Sequence, residues 1–435
     1  IDISNIRGIF ITHAHADHIG RLPLLIEMGY SGPIYMTKVT KDILLISISS
    51  NIAYADVGIE TFYYSKNNKN EKKPVYLERF NYGQYQVKEK NRRYIKSLRS
   101  ELEEKGYYLS SETKKKLIEE IINKLNKMII TVDYNEIINL KNGVSCQFIY
   151  TSHLPGSAMI KFNIGNKNVL FSGDIGSNNS PFLPPNSQLD FDIDYLFVEG
   201  TYGTTTRENN TNDDRKALIE YIGDAIRNNE RVIIPAFAVD RTQQLLYELK
   251  NGKIQGIIPK DKKIKVFSPT SQKITELYKS YSRRHNELSE YFTHIMFTDI
   301  FSMENLIFNP TDENNSYDLE VLYGEIGIMT SGMIASGFSK EIVKEYISDE
   351  KTHFISVSYQ DPDETGGKLF RGDKEIEIDG KVYDVKANIY STSAFSGHAD
   401  IQEIHRVFQN INPKQIYIIH LNSKDKKSLE KFYSI

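Results

Sequence analysis

A single cysteine, Cys146, stands in a chain of 435 residues. That scarcity excludes an intramolecular disulfide and any zinc site built from several thiolates. Such a chain is expected in a reducing compartment, and so in the cytoplasm. Tryptophan is missing altogether, which leaves the aromatic surface to 28 Tyr and 21 Phe. Nowhere do 18 apolar residues run together, so no transmembrane helix and no membrane partner are predicted. An excess of either charge is lacking too: 54 Lys and Arg stand against 57 Asp and Glu, a formal net charge of -3. Any nucleic-acid partner must therefore be met by a local patch and not by bulk attraction. The chain opens on IDISNIRGIFITH, with neither an initiator Met nor a signal peptide. It reads as the interior of a domain, and an N-terminal part is expected to be missing.

What the chain does have is a hydrophobic content of 40%, enough for more than one domain. IRGIFIT reads as a short buried strand, GRLPLLIEMGY as a helix entered at Gly20, and PIYMT as a second strand. Residues 62 to about 130 differ. SKNNKNEKKP is turn-rich and polar. KEKNRRYIKSLRSELEEK and SSETKKKLIEEIINKLNKM read as charged helices, the second capped by Ser110 or Ser111 with Leu117, Ile121 and Leu125 on one face. This stretch is either a solvated helical surface or a flap facing nucleic acid. From residue 144 strand signals return in VSCQFIYTSH, AMIKFNIG, NVLFSGD and DYLFVEGTYG. A second series then alternates helices with strands, through RVIIPAF, DRTQQLLYELKN, KIKVFSP, IGIMTSGM and HFISVSYQ, which predicts a mostly parallel sheet in an α/β fold. The chain closes on ANIYSTSAFSGHAD and QIYIIHLNS.

Ten histidines serve the whole chain, and three of them fall in HAHADH, as His13, His15 and His18, with Asp17 between. In an extended or looping backbone His13 and His15 point the same way, and Asp17 and His18 follow on the turn. Imidazole nitrogen and carboxylate oxygen suit zinc, and so many donors on one loop can serve two ions. Further candidates end apolar strands, where α/β folds place their sites: His153 after FIYTS, Asp174 after VLFSG and His420 after IYII. A purely structural zinc site closes with four ligands, whereas seven candidates are present.

THAHADHIG, TSHLPGSA, SGDIG, VEGTYG, PAFAVDRTQQLL, TSGM and FSGHAD together resemble the metallo-β-lactamase superfamily in its β-CASP nuclease branch. The likeness runs over almost the whole chain and is weakest at 62 to 130. It implies a four-layer αβ/βα metallo-β-lactamase domain whose first part spans 1–205, with its N-terminal strands expected to be missing. An inserted β-CASP domain over about 206–375 and a second metallo-β-lactamase part over 376–435 would follow. Gly200 in EGTYG, where eukaryotic endonucleases have Ser, leans to the prokaryotic branch. Relatives often have Gly-Glu where Leu421 and Asn422 follow His420. Carried over residue by residue, the resemblance implies that His13, His15 and His153 hold one Zn²⁺, that Asp17, His18 and His420 hold a second, and that Asp174 bridges the pair. Glu199 would orient His398 without touching metal. His405, His285, His294 and His353 are read as helix-face histidines without a role.

The reaction implied is hydrolysis of phosphodiester bonds in single-stranded RNA during RNA processing or decay. Asp17 would act as proton acceptor and His398, held protonated by Glu199, as proton donor to the leaving 3′ oxygen. Within the insert, Ser331 and Gly332 of TSGM, Arg241 after PAFAVD, and Lys368 with Gly366 and Gly367 in DETGGKLF are candidate phosphate contacts or ordinary turns and surface charge. Tyr202 is a candidate stacking ring or a core residue. The alternatives are a DNA nuclease of the same superfamily, an inactive RNA-binding paralogue in a processing complex, and a small-molecule hydrolase of glyoxalase type. The histidine at the last motif favours RNA, the full ligand set disfavours an inactive scaffold, and Glu199, His398 and the large insert disfavour a small substrate. A homodimer or processing-complex subunits are possible partners.

Overall fold

The structure, a computed structural model, describes residues 3, 5–54, 62–64, 74–76, 111–202, 211–281, 283–284, 288, 291–312, 316–335 and 337–420. The contacts divide the chain into two compact units, one of residues 1–36 and 41–131, the other of residues 37–40 and 132–435. The helix expected over KEKNRRYIKSLRSELEEK lies outside the described residues, as does His285.

The first unit carries the short strand Ile9–Phe10 beside Ile34–Thr37, in parallel. Its core is aliphatic, with Ile11, Ile19, Leu22, Ile26, Ile43, Leu44 and Ile48 buried. The helix Ser111–Met128 buries Ile121 and Leu125. These two positions are four apart, the spacing of one helical face, and the helix packs on Leu22–Glu27. Ser111 is its first helical residue.

The second unit holds two six-stranded sheets. One runs in the order Gln415–Ile419, Tyr195–Glu199, Lys167–Phe171, Ala158–Ile164, Val144–Tyr150, Ile137–Asn139. The strands from Ile137 to Phe171 are joined by short turns and are antiparallel. Parallel pairing needs a long crossover, and the ladder between Tyr195–Glu199 and Gln415–Ile419 encloses the whole insert in one. Its register sets Glu199 beside Ile419, and the Gly200 N–H continues it by donating to the Ile419 carbonyl at 2.9 Å. One face of this sheet buries Met159, Leu170, Leu196 and Val198 against Ile404, Val407 and Phe408 of the helix Ile401–Phe408.

The other sheet is parallel throughout, in the order Leu306–Phe308, Ile264–Phe267, Ile326–Met329, Arg231–Pro235, Thr352–Ser356, Asn388–Ser391. Every residue of Arg231–Pro235, Ile264–Phe267, Ile326–Met329 and Thr352–Ser356 is buried. Strands buried along their whole length fit a sheet covered on both faces. The helix Thr211–Arg227 leads into the first of these strands, and Arg241–Ile254, Pro269–Tyr281, Phe338–Tyr346 and Thr365–Arg371 lie in the connections between them. The sheet takes in Asn388–Ser391, beyond residue 375, because those residues pair with Thr352–Ser356. His353 lies on that strand and not on a helix face: Tyr221 Oη and Glu230 Oε2 meet its two ring nitrogens, each at 2.7 Å.

Arg215 ties the helices of the insert to the loop that precedes His398. Its guanidinium donates to the Ala394 carbonyl at 3.1 Å, to Glu248 Oε1 at 3.2 Å and to Gln244 Oε1 at 3.0 Å. It also lies 4.8 Å from the centre of the Phe395 ring. The side chains of Arg215 and Glu248 are 6% and 16% exposed, so removing the cation strands a desolvated carboxylate. Arg215→Ala is expected to cost about 3–5 kcal/mol, measured as a lowered urea midpoint at unchanged m-value.

Candidate metal centre

The first unit presents its donors on a compact loop. His13 is fully buried, His15 is half-buried and is the N-cap of a one-turn helix, Ala16–Ile19, and Asp17 and His18 lie on that turn. The sequence reading put a loop here and let Gly20 open the next helix. Instead Gly20 closes the short helix, its N–H donating to the Ala16 carbonyl at 2.7 Å. The ring of His13 sits 5.0 Å from that of His15 and 4.0 Å from that of His18. His18 Nε2 is 3.4 Å from Asp17 Oδ2. The Thr12 hydroxyl lies 3.1 Å from His13 Nδ1.

In the second unit three imidazoles converge on one buried carboxylate. Asp174, 2% exposed, follows the strand Lys167–Phe171. His153 Nε2 lies 3.4 Å from its Oδ2, His398 Nε2 3.9 Å from the same oxygen, and His420 Nε2 4.0 Å from Oδ1. Each ring is held from behind through Nδ1. His153 Nδ1 donates to the Gly397 carbonyl at 2.9 Å, which leaves Nε2 as the nitrogen with a lone pair. His398 Nδ1 donates to Glu199, at 3.1 Å from both oxygens. His420 Nδ1 meets the Thr201 hydroxyl at 2.8 Å. Asp174, Glu199 and His398 can each place one donor atom within 4.8 Å of the others.

Glu199 is itself pinned. Its Oε1 accepts from the Ile175 N–H at 2.6 Å and its Oε2 from the Thr201 N–H at 3.3 Å. Burial works against a charged His398 ring, but the Glu199 carboxylate, by charge and hydrogen bond, outweighs it with help from Asp174, against a smaller opposing contribution from His420. The result is a pKa above the usual histidine value.

The turn that carries Asp174 is fixed by residues that sequence reasoning missed. Asn186 donates to the Gly176 carbonyl at 2.6 Å and accepts from the Ser152 N–H at 2.8 Å, so it clamps the Asp174 turn to the His153 turn. Asn186 carried no signal, since its partners are distant in the chain. Asp400 and Glu403 form a capping box on Ile401–Phe408, and Glu403 Oε1 also accepts from the Asn178 N–H at 2.9 Å. That pair was legible as an acidic cap followed three residues later by Glu. Gly176 is required by close approach: a Cβ there would stand 1.9 Å from the Ser152 carbonyl carbon and 2.1 Å from the His153 nitrogen.

The candidate phosphate contacts lie at the carboxyl ends of the parallel sheet. Arg241 begins the helix Arg241–Ile254, behind Asp240, a buried residue at φ +64°. A Cβ at Gly397 would stand 3.1 Å from Arg241 Nη2 and 3.4 Å from His153 Cε1, so the guanidinium reaches the loop on which His153 leans. Ser331 and Gly332 follow Ile326–Met329, and Gln360 Nε2 donates to the Gly332 carbonyl at 2.8 Å. Gly366, Gly367 and Lys368 sit in the helix Thr365–Arg371. Both glycines are buried, and side chains there would collide with Gln360 Oε1 and the Asp361 carbonyl. Tight packing therefore explains the glycine pair.

His and Asp donors are the types that zinc takes, and the histidine–aspartate cluster around Asp174 fits a bound metal ion. Among the described residues no helix is long and apolar enough to cross a membrane. Comparison with known proteins agrees with the donor set. Residues 1–30 match the metallo-beta-lactamase superfamily, 242–369 the Beta-Casp domain, and 382–431 the Zn-dependent metallo-hydrolase RNA specificity domain. The chain is 26% identical over 451 residues to a transcription termination factor FttA of Methanothermobacter thermautotrophicus, covering 100% of this chain and 60% of that protein. It is 27% identical to the protein of the same name in Pyrococcus horikoshii, over 98% of this chain and 58% of that one. A probable RNase MJ4 of Methanocaldococcus jannaschii is 26% identical, over 96% of this chain and 82% of that one. The chain thus spans about 60% of the length of the termination factors it matches.

Gly176→Ala is expected to displace the Ser152–His153 turn and weaken metal binding roughly 10–100-fold, the usual effect of disturbing a ligand's support. Competition against a chromogenic chelator measures it, and an unchanged affinity would contradict the role given to this contact.

Proposed function

The chain belongs to the β-CASP branch of the metallo-β-lactamase superfamily, and from that premise we propose that it is a zinc-dependent ribonuclease. It would hydrolyse phosphodiester bonds of single-stranded RNA in RNA processing or decay. The observation that carries this reading is the convergence of His153, His398 and His420 on the buried Asp174, with Glu199 behind His398. A donor set of neutral imidazoles and carboxylates suits two Zn²⁺ ions. His13, His15 and His153 would hold one, Asp17, His18 and His420 the other, and Asp174 both. Two such ions lower the pKa of water and stabilise charge on phosphoryl oxygens.

The chain's own groups supply the rest. A carboxylate oxygen of Asp17 would accept a proton from the attacking water. His398, its Nδ1 held by Glu199, would give the proton on Nε2 to the leaving 3′ oxygen as the phosphorus–oxygen bond breaks, so the products end in a 5′ phosphate and a 3′ hydroxyl. Positioned proton transfer of this kind contributes about 10²–10⁴-fold. Arg241, Ser331, Gly332 and Lys368 would contact phosphates of the strand. By likeness to the relatives named termination factors, the RNA would be a transcript whose synthesis is ending. The domain limits proposed are 1–205, 206–375 and 376–435, with Asn388–Ser391 lent to the sheet of the insert. A homodimer or a place in a larger complex, and a cytoplasmic location, belong to the same reading.

Asp17→Ala and Asp174→Ala are each expected to abolish zinc-dependent cutting of labelled RNA while leaving RNA binding largely intact. Wild-type rates in either would sink the assignment, and preferential cutting of DNA over RNA of equal length would replace the substrate. Glu199→Gln removes the carboxylate charge that raises His398. The alkaline limb of the profile of kcat/KM against pH should then move to lower pH, because the donor loses its proton earlier. An unmoved limb would remove His398 from the role of acid.

A further inference from the structure

The carboxyl ends of Thr352–Ser356 and Asn388–Ser391 line an open cavity of about 420 Å³. No step proposed above uses it. Its wall carries the hydroxyls of Ser356, Ser358, Ser391 and Ser393, and Tyr202 and Tyr359 contribute their rings. Val357, Pro362 and Phe370 add apolar surface. Aromatic rings, apolar wall and hydroxyls together suit a flat, polar, uncharged group.

The electrostatics argue against an anion. Among the described lining residues Arg371 is the one cation, and its donors are engaged: Nε and Nη2 bind Asp373 at 3.0 and 2.6 Å, and Nη1 binds the Pro362 carbonyl at 3.2 Å. Burial, then Asp361, Tyr202 and Asp363, raise the pKa of the Tyr359 phenol, so two carboxylates stand close to this wall. A phosphate entering here would meet negative charge and no uncommitted donor cation.

The cavity adjoins the proton donor. The Tyr202 ring lies 6.1 Å from the His398 ring, edge to face, and the Ser396 hydroxyl, also in the wall, accepts from the His398 N–H at 3.4 Å. A group held in it therefore belongs to the nucleotide beside the bond at which His398 acts.

We propose that this cavity is a nucleobase subsite, which takes the base of the nucleotide next to the scissile phosphate and excludes a phosphate group. The inference rests on the ribonuclease reading of the His398 site. Serine hydroxyls both donate and accept, so the subsite requires a base without dictating which one.

The test uses the full chain and single-stranded RNAs of one sequence, each with one abasic ribose, stepped along the strand. Affinity is read by fluorescence anisotropy in chelator, and cutting is read after Zn²⁺ is added. One abasic position, adjacent to the cut, should lose roughly 5- to 150-fold, the range for one base stacked on an aromatic ring. Removing a 5′ phosphate should change nothing. Tyr359 is 46% exposed, so Tyr359→Ala should fold. It should lose a similar factor on intact RNA and little more on the abasic strand. Ser393→Phe, at an exposed position, should block the cavity with the same pattern. A flat abasic scan, additive losses, or dependence on the 5′ phosphate would overturn the subsite. If intact RNA is cut but the scan is flat, the subsite falls and the ribonuclease reading stands. If intact RNA is neither bound nor cut, that reading falls and the subsite with it.

Discussion

One carboxylate governs the geometry of the second unit. Asp174 is almost wholly removed from water, and a buried charge is tolerated only where partners compensate it. Imidazoles from three separate stretches of chain, at residues 153, 398 and 420, turn their Nε2 atoms towards it. Every one of those rings is braced on the other side by an oxygen: a backbone carbonyl, a glutamate or a threonine hydroxyl. The elements that deliver these braces are in turn locked, Glu199 by two backbone N–H groups and the Asp174 turn by Asn186 and Glu403. The rings around Asp174 are thus held by contacts within the chain itself.

The parallel sheet of the insert contributes through its carboxyl edge. Parallel strands fed by helical crossovers aim their C-terminal ends at one side, where loops are free to carry chemistry. Arg241, Ser331, Gln360 and the hydroxyl-lined cavity all lie there, and the strand Asn388–Ser391 leads directly into the loop ending at His398. Arg215 joins the two parts of this arrangement, since it grips the helices at Gln244 and Glu248 and the loop at Ala394.

Much of this could be read from the chain. Apolar runs that stop at a histidine, aspartate or glutamate marked both the strands and the residues at their ends, because a buried strand has to be apolar and its polar successor emerges at the edge. The α/β alternation of the insert was equally plain, as its strands are buried on both sides and lack any polar alternation. What escaped was short or non-local. Four residues of helix at Ala16–Ile19 make too little periodicity to register. Asn186 acts on backbone groups far away in sequence, so nothing nearby announces it. The pair Gly366-Gly367 resembles a phosphate cradle in sequence, yet only the packed fold reveals that Gln360 and Asp361 fill the space. His353, read as a helix-face histidine, lies in a strand and is tied to Tyr221 and Glu230.

The ladder that sets Glu199 beside Ile419 has a further consequence. Side chains alternate sides along a strand, so a slip of one residue would reverse the whole of Gln415–Ile419. Thr201 would lose its partner ring, while Glu199 and His398 stayed as they are. His420 stands just beyond the strand at φ +56°, so this register decides where its backbone arrives beside Thr201. A one-residue insertion or deletion within this strand would therefore carry the His420 ring away from Asp174 and take Ile416 and Ile418 off the core they cover.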